Sequence, residues 1–337
     1  MAIKINKIVD EKWDCLIILD ACRYDFFKAL YSKYFSGKLE KRISLGSCTP
    51  EWFCNTFRGY YQDIVYVSSN PYINSKYQIK GCNAAKTFYK VIDAWRFCWD
   101  DLLGTVHPRE VNKLVLKVIR RYRTKRIIVH YLQPHQPYLA EKYQVGGLFR
   151  PHPKLKLAGI GIKDRQKRVQ PIKESIDLLQ SILNKALWVL LFSIMKDADK
   201  TAALIYRLQE LLRLPPASPM DAIRRKYGLR GLRLAYKENL KIVLQYVAEL
   251  VLVLKTLSPS KRVVITSDHG ELLGEGGAHG HHQKSKNRNL LFVPWFEVEY
   301  VKESSLSDSQ RDFMIRAKLI SKLKAIKHYL RTYRKRL

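Results

Sequence analysis

The chain has 337 residues, 47% of them hydrophobic, which allows a sizeable core and excludes global disorder. Its net charge of +31 points to polyanionic partners: nucleic acid, an anionic membrane surface, or phosphorylated or sulfated substrates. The 6 cysteines all fall in the first hundred residues with no close CxxC pair, which excludes a zinc ribbon and a thioredoxin-type motif.

Residues 1–10 are polar and the first apolar run is too short for a signal peptide, so reduced thiols and a cytoplasmic location are expected. DCLIILD, 14–20, is a short apolar run ending in an acid and predicts a buried parallel strand. RYDFFKALYSKYF predicts a helix after it. In SLGSCTPEWF, 44–53, small residues lead to Thr49-Pro50 and a new helical pattern. Proline in the first turn leaves Thr49 near a helix N-terminus, where its hydroxyl either caps the helix or serves as a nucleophile beside backbone N–H groups that favour anions. DIVYVSS, 63–69, predicts a strand, followed by Asn70, which either makes a turn or donates to a substrate oxygen.

Residues 108–122 have helical periodicity, and RIIVHYL, 126–132, is strand-like. The strand carries His130, read here as structural. The next loop holds His135 between two prolines, which stiffen it. From 145 to about 230 the chain reads as a helical basic insertion; 150–173 alone carries 8 Lys and Arg with one Asp. Within it, LLQSILNKALWVLLFSIM, 178–195, is broken by Gln180, Asn184 and Lys185, which favours a buried or interfacial helix over a membrane span.

Apolar positions from Leu240 to Leu254 recur at helical spacing within an expected helix over 232–257. KRVVITSD, 261–268, and LLFVPWFEV, 290–298, predict the last strands. Between them, DHGELLGEGGAHGHH gathers His269, His279, His281 and His282 beside Asp268 and Glu271. Residues 316–337 carry 9 Lys and Arg and no acid, with one apolar stripe: a basic amphipathic helix, either docked on the domain, lying on anionic lipid, or contacting nucleic acid.

Strands separated by helical patterns predict an α/β fold with a mostly parallel central sheet and helices on both faces. In such sheets ligands bind at the carboxyl ends of the strands, where Asp20, Asp268 and His269 fall. Carboxylates with an imidazole suit a divalent ion, manganese or zinc especially.

ILDACRYD, SCTPEWF, QPHQPY, TSDHGELLGE and the trailing GH together resemble the alkaline phosphatase superfamily, most of all its sulfatase-like branch and archaeal sulfatase-like hydrolases. The agreement in motif order runs from Cys15 to about Val298. The resemblance implies an α/β/α sandwich catalytic domain over 1–310; the insertion and the basic helix at 311–337 have no counterpart in the family's common core. It implies a hydrolase of phosphate or sulfate esters, or a phosphotransferase, with one or two divalent ions (Mn, Zn, Mg or Ca). By position, Asp20, Thr49, Asp268 and His269 are the implied metal ligands. Thr49 is the implied nucleophile, with Cys48 second; His135 and His281 are the implied remaining catalytic histidines, and His279 or His282 are alternatives to His281. Arg23, Asn70 and His279 are assigned to substrate, although Arg23 also has Asp25 as a partner. Glu271 is an outer carboxylate.

Three positions depart from the family pattern. Trp52 stands where the sulfatase Cys-x-Pro-x-Arg motif has Arg, Ala21 follows Asp20 instead of a second acid, and no acid precedes His135 in VHYLQPH. The expected substrates are lipid- or glycan-linked esters, with the C-terminal helix holding the protein on the inner face of the membrane; a nucleic-acid partner fits less well. The competing expectation is an inactive sulfatase-fold protein that binds anionic membrane or nucleic acid.

Overall fold

A computed structural model describes residues 3–81, 83–145 and 185–305. The expected helix at 311–337 and residues 146–184 of the expected insertion lie outside the described residues.

Eight strands form one sheet. In chain order they are β1 (Lys4–Ile5), β2 (Cys15–Leu19), β3 (Phe35–Ile43), β4 (Tyr61–Ser68), β5 (Phe88–Asp93), β6 (Arg126–Tyr131), β7 (Val263–Thr266) and β8 (Phe292–Val301). The spatial order is β1-β3-β8-β7-β2-β6-β4-β5. Only β8 runs against its neighbours; every other pair is parallel. The central strands β2 and β7 are buried along their whole length. CLIIL and VVIT are continuous apolar runs because each strand has both faces covered.

Alternate residues feed two cores. Ile17, Leu19, Val129 and Ile265 face α1 (Tyr24–Leu30), α3 (Pro108–Arg121) and the long helix Pro219–Leu257. Leu16, Ile18, Ile128 and Val264 face α2 (Thr49–Thr56), which supplies Trp52 and Phe53. This is the layered α/β/α arrangement expected from the sequence.

Three strands were not foreseen: β1, β3 and β5. In β3, FSGKLEKRI is rich in charge, yet Arg42 is buried. It bonds Glu40 and Glu11 and lies 4.0 Å over the Trp295 ring of β8. The expected helix over 23–35 ends as α-helix at Leu30, and Phe35 opens β3 instead.

In the described part of the expected insertion, 185–195 is helical, followed by α5 (Ala198–Leu211), 185–195 being α4. The helix Pro219–Leu257, α6, is broken at Gly228, whose φ of 67° lies outside the helical region. No helix among the described residues is long and apolar enough to cross a membrane.

Candidate active site

The carboxyl ends of β2, β3, β4, β6 and β7 all open on one edge of the sheet, and each is followed by a polar residue in the cluster. Ser267 joins two of them: its Oγ donates to Leu19 O at 2.6 Å and accepts from Cys22 N at 2.8 Å. Asp268 then points at Ala21. Its Oδ1 accepts from Ala21 N at 3.1 Å and from His269 N at 2.9 Å. Ala21 adopts a φ of 58°, a left-handed conformation costly for a residue with a Cβ. Tyr236 of α6 holds it there, donating its hydroxyl to Ala21 O at 2.6 Å and accepting from Arg23 N at 2.9 Å. Gly270 is needed for close approach, since a Cβ there would lie 1.9 Å from Asn289 O.

Thr49 sits in the middle of this group. Cys48 occupies the N-cap position of α2 and Pro50 follows in the first turn, so the Thr49 hydroxyl is not used for capping. Thr49 Oγ donates to Asp268 Oδ2 at 2.8 Å, lies 3.3 Å from His269 Nε2, and accepts from Asn70 Nδ2 at 3.1 Å. Asn70 also donates to Asp20 Oδ2, and its orientation is fixed by Tyr72 N on its Oδ1. Asp20 Oδ1 lies 3.7 Å from His269 Nε2. The sequence-derived set Asp20, Thr49, Asn70, Asp268 and His269 therefore meets in one buried place.

His130, read from the sequence as structural, is also there. Its Nε2 lies 3.5 Å from Asp20 Oδ2 and 3.9 Å from Asp268 Oδ2, and Tyr66 OH is 2.8 Å from its Nδ1. The available signal was side-chain parity: His130 shares the face of Ile128, the face covered by α2, and Trp52 of that helix meets its ring edge-on.

A second group lies beside the first. The glycine-rich stretch after Glu271 is a tight hairpin, with Leu272 opposite Gly280 and Leu273 opposite His279. Gly274, Gly276, Gly277 and Gly280 all take positive φ in it. The return brings His281 Nδ1 to 2.8 Å from Glu271 Oε1. The His281 ring is 4.4 Å from that of His269 and 5.1 Å from that of His135. Ligand atoms of His135, Glu271 and His281 lie within 4.8 Å of one another, as do those of Asp20, His130 and Asp268.

Both groups fit divalent ions. Asp20, Asp268 and Glu271 are buried, and among the described residues none of the three pairs with Lys or Arg. Asp20 Oδ1 and Glu271 Oε2 have no hydrogen-bond partner there. Three buried carboxylates opposed only by histidines are costly, and a divalent cation meets that need. A mixed set of carboxylate, hydroxyl and imidazole suits manganese or zinc better than calcium.

The electrostatics follow from crowding. Burial opposes charge on Asp20, yet the hydrogen bond from His130 and the charges of His135, His130 and His269 hold its carboxyl below the usual range. Glu271 behaves alike, burial being outweighed by His281. His281 is pushed up against the effect of burial, through Glu271. Burial lowers His269, with Asp268 opposing.

The other sequence-derived residues have different surroundings. Arg23 spends its guanidinium on Asp25, Glu275, Asn289 and Glu271 O. His279 is buried under the Tyr206 ring at 3.8 Å and lies 3.7 Å from Asp221, outside both groups; burial lowers it to about 4. His282 is lowered to about 4 by burial and by His281, and its ring lies 5.5 Å from that of Trp188. Burial pushes the Cys48 thiol up to about 11, which disfavours the thiolate a cysteine nucleophile needs.

The loop bearing His135 is held by Asn239 of α6. Its Nδ2 donates to Pro134 O and His135 O at 3.1 Å, and its Oδ1 accepts from Leu139 N at 3.0 Å. Asn239 lies one turn beyond Tyr236, so one helix positions both the Ala21 turn and the His135 loop.

The chain has solved counterparts. The integral membrane lipooligosaccharide phosphoethanolamine transferase A from Neisseria meningitidis aligns at 11% identity and TM-score 0.42, over 85% of this chain and 47% of that one. This chain thus spans about half of that protein's length. The periplasmic domain of phosphoethanolamine transferase EptC from Campylobacter jejuni aligns at 14% identity and TM-score 0.41, covering 90% and 81% of the two chains. The phosphonate monoester hydrolase from Silicibacter pomeroyi aligns at 12% and 0.44, covering 87% and 69%. No protein-family model and no curated protein matches the sequence. At this degree of likeness, the chain's own side chains carry the chemistry.

Proposed function

We propose that the protein is a metal-dependent hydrolase or transferase of phosphate or sulfate esters, with Thr49 as its nucleophile. The observation that carries this is the Thr49 hydroxyl, buried between Asp268 Oδ2 at 2.8 Å and His269 Nε2 at 3.3 Å, with Asp20 on the far side of Asn70. A helix cap would need none of these partners. Asp20, Asp268, His269 and Thr49 would hold the first ion, with His130 against the same carboxylates. A divalent ion there supplies the charge that lowers a hydroxyl's pKa and stabilises a developing oxyanion.

The chain's own groups do the rest. Thr49 Oγ attacks phosphorus in line with the ester bond; its proton leaves toward Asp268 Oδ2, the atom that already accepts it. The His135 imidazole meets a nonbridging oxygen, while Asn70 Nδ2, whose two hydrogens go to Asp20 Oδ2 and Thr49 Oγ, holds the nucleophile in place. His281, held at Nδ1 by Glu271 Oε1, turns its other nitrogen to the departing oxygen as the proton donor. Water or an acceptor hydroxyl then releases the group from Thr49, giving hydrolysis or transfer. His135, Glu271 and His281 could instead hold a second divalent ion, which would supply positive charge near the leaving oxygen.

Release of p-nitrophenol from its phosphate monoester, phosphodiester and sulfate, with manganese or zinc, tests the reading. Thr49→Ala should lose at least about 10³-fold in kcat/KM, while Thr49→Ser retains part of it. Turnover that survives in both Thr49→Ala and Asp268→Ala would reject the assignment.

A further inference from the structure

Helix α4 reads KALWVLLFSIM, with Lys185 and Ser193 its only polar side chains. None of its residues is buried, and Val189, Leu190 and Ile194 are 68%, 58% and 70% exposed. Single exposed aliphatics are ordinary, but three within two turns of an otherwise apolar helix form a patch that calls for a partner. A helix apolar all round belongs in a protein core or in lipid. The described stretch, residues 185–195, is about 16 Å long, and Gln180 and Asn184 interrupt the apolar sequence before it, which favours lying in a bilayer surface over crossing it.

The inward side of α4 is anchored at the active site. Trp188 stacks on Phe192 at 6.3 Å and meets the His282 ring at 5.5 Å. It also packs against the small cluster of Ala202, Leu272 and Leu290. The margin of the patch is basic. Lys185 and Lys196 flank the helix and are exposed, and the loop after His282 exposes Lys284, Lys286 and Arg288. That loop is tied to the helix following α4, because Ser285 Oγ donates to Asp199 at 2.7 Å. The nearby acids are occupied: Asp197 caps α5 and pairs with Lys200, while Asp199 accepts from Ser285. An apolar strip bordered by lysines and an arginine complements the anionic headgroups and acyl chains of a bilayer surface. A nucleic-acid backbone would use the charges and leave the apolar strip without a role.

We infer that α4 and the basic loop 284–288 seat this face of the protein on an anionic lipid surface, with α4 lying in the interface and the His281–His282 corner turned toward the headgroups. This contact is distinct from the C-terminal helix expected from the sequence, and it does not depend on the catalytic reading, which small-ester turnover tests separately.

The test is flotation of the full chain with phosphatidylcholine vesicles, with and without phosphatidylglycerol. The wild-type protein should float with the anionic vesicles. The combined variant Val189→Glu, Leu190→Glu, Ile194→Glu should partition at least about tenfold more weakly, with unchanged circular dichroism and unchanged turnover of bis-p-nitrophenyl phosphate. Lys284→Glu with Lys286→Glu should weaken binding to the anionic vesicles as well. Wild-type protein that stays with the unbound fraction, or a triple variant that floats like the wild type, overturns the inference. So does a dimer in light scattering that the triple variant converts to monomer, since the covering partner is then a second copy.

Discussion

Replacing Asp268 by Asn separates the metal-binding account from a purely structural one. Ligand atoms of Asp20 and Asp268 lie within 4.8 Å of each other, both buried and without a Lys or Arg partner among the described residues. At that separation and an effective dielectric of 20, the two negative charges repel by about 3 kcal/mol. The asparagine keeps the local bonds: its Oδ1 still accepts from Ala21 N and His269 N, and its Nδ2 can donate to Thr49 Oγ. In chelator-treated protein the substitution should therefore stabilise the fold. For a chain of this size, 3 kcal/mol corresponds to a rise in Tm of about 4 °C, reduced by the attraction that Asp268 loses to His130, His269 and His281. Adding manganese or zinc should raise the Tm of the wild type and leave that of the variant nearly unchanged. Differential scanning calorimetry with and without metal reads both effects. A metal-free variant that melts well below the wild type, or one that gains as much from metal, would refute the reasoning.

Other expectations follow from single contacts. Tyr236→Phe leaves Ala21 O and Arg23 N without the hydroxyl that joins them, and should cost about 1–3 kcal/mol in urea unfolding; it should also lower kcat more than it raises KM. Gly270→Ala places a Cβ 1.9 Å from Asn289 O, a backbone atom with nowhere to move, so a loss of about 3 kcal/mol or more is expected by the same assay. Burial works against charge on Glu275, but the hydrogen bond and charge of Arg23 hold its carboxyl below the ordinary value. A carboxyl lowered in the folded state stabilises above its unfolded pKa and ceases to do so as pH falls through the folded one. Glu275→Gln should thus be less stable than wild type near neutrality, and the gap should close as pH falls below about 4.3.

The central strands were legible because both their faces are covered: CLIIL and VVIT need no alternation, and an acid at the end of each run marked the edge where ligands bind. β3 was not legible. Its Arg42 is buried because Glu11 and Trp295 come to it from other parts of the chain to join Glu40 of the same strand, and nothing local announces those two. The helix expected to run to Phe35 stops at Leu30 for a related reason, since Phe35 is claimed by the pairing with Val301. Within AHGHH the sequence put His281 first and left His279 and His282 as alternatives. The hairpin register separates them: His279 pairs with Leu273 and turns under Tyr206, while His281, just past the ladder, reaches Glu271. His130 was set aside because a histidine inside a strand looks like filler. Its parity with Ile128 was readable, but the two carboxylates it meets follow other strands, β2 and β7.

Gly228 breaks α6 eight residues before Tyr236, so the segment upstream is not rigidly continuous with the portion that carries Tyr236 and Asn239. Met220 N still bonds Gln136 Oε1 beside His135, and Met220 and Ile223 pack with Tyr236, so the bend folds one helix back to brace the His135 loop from two directions.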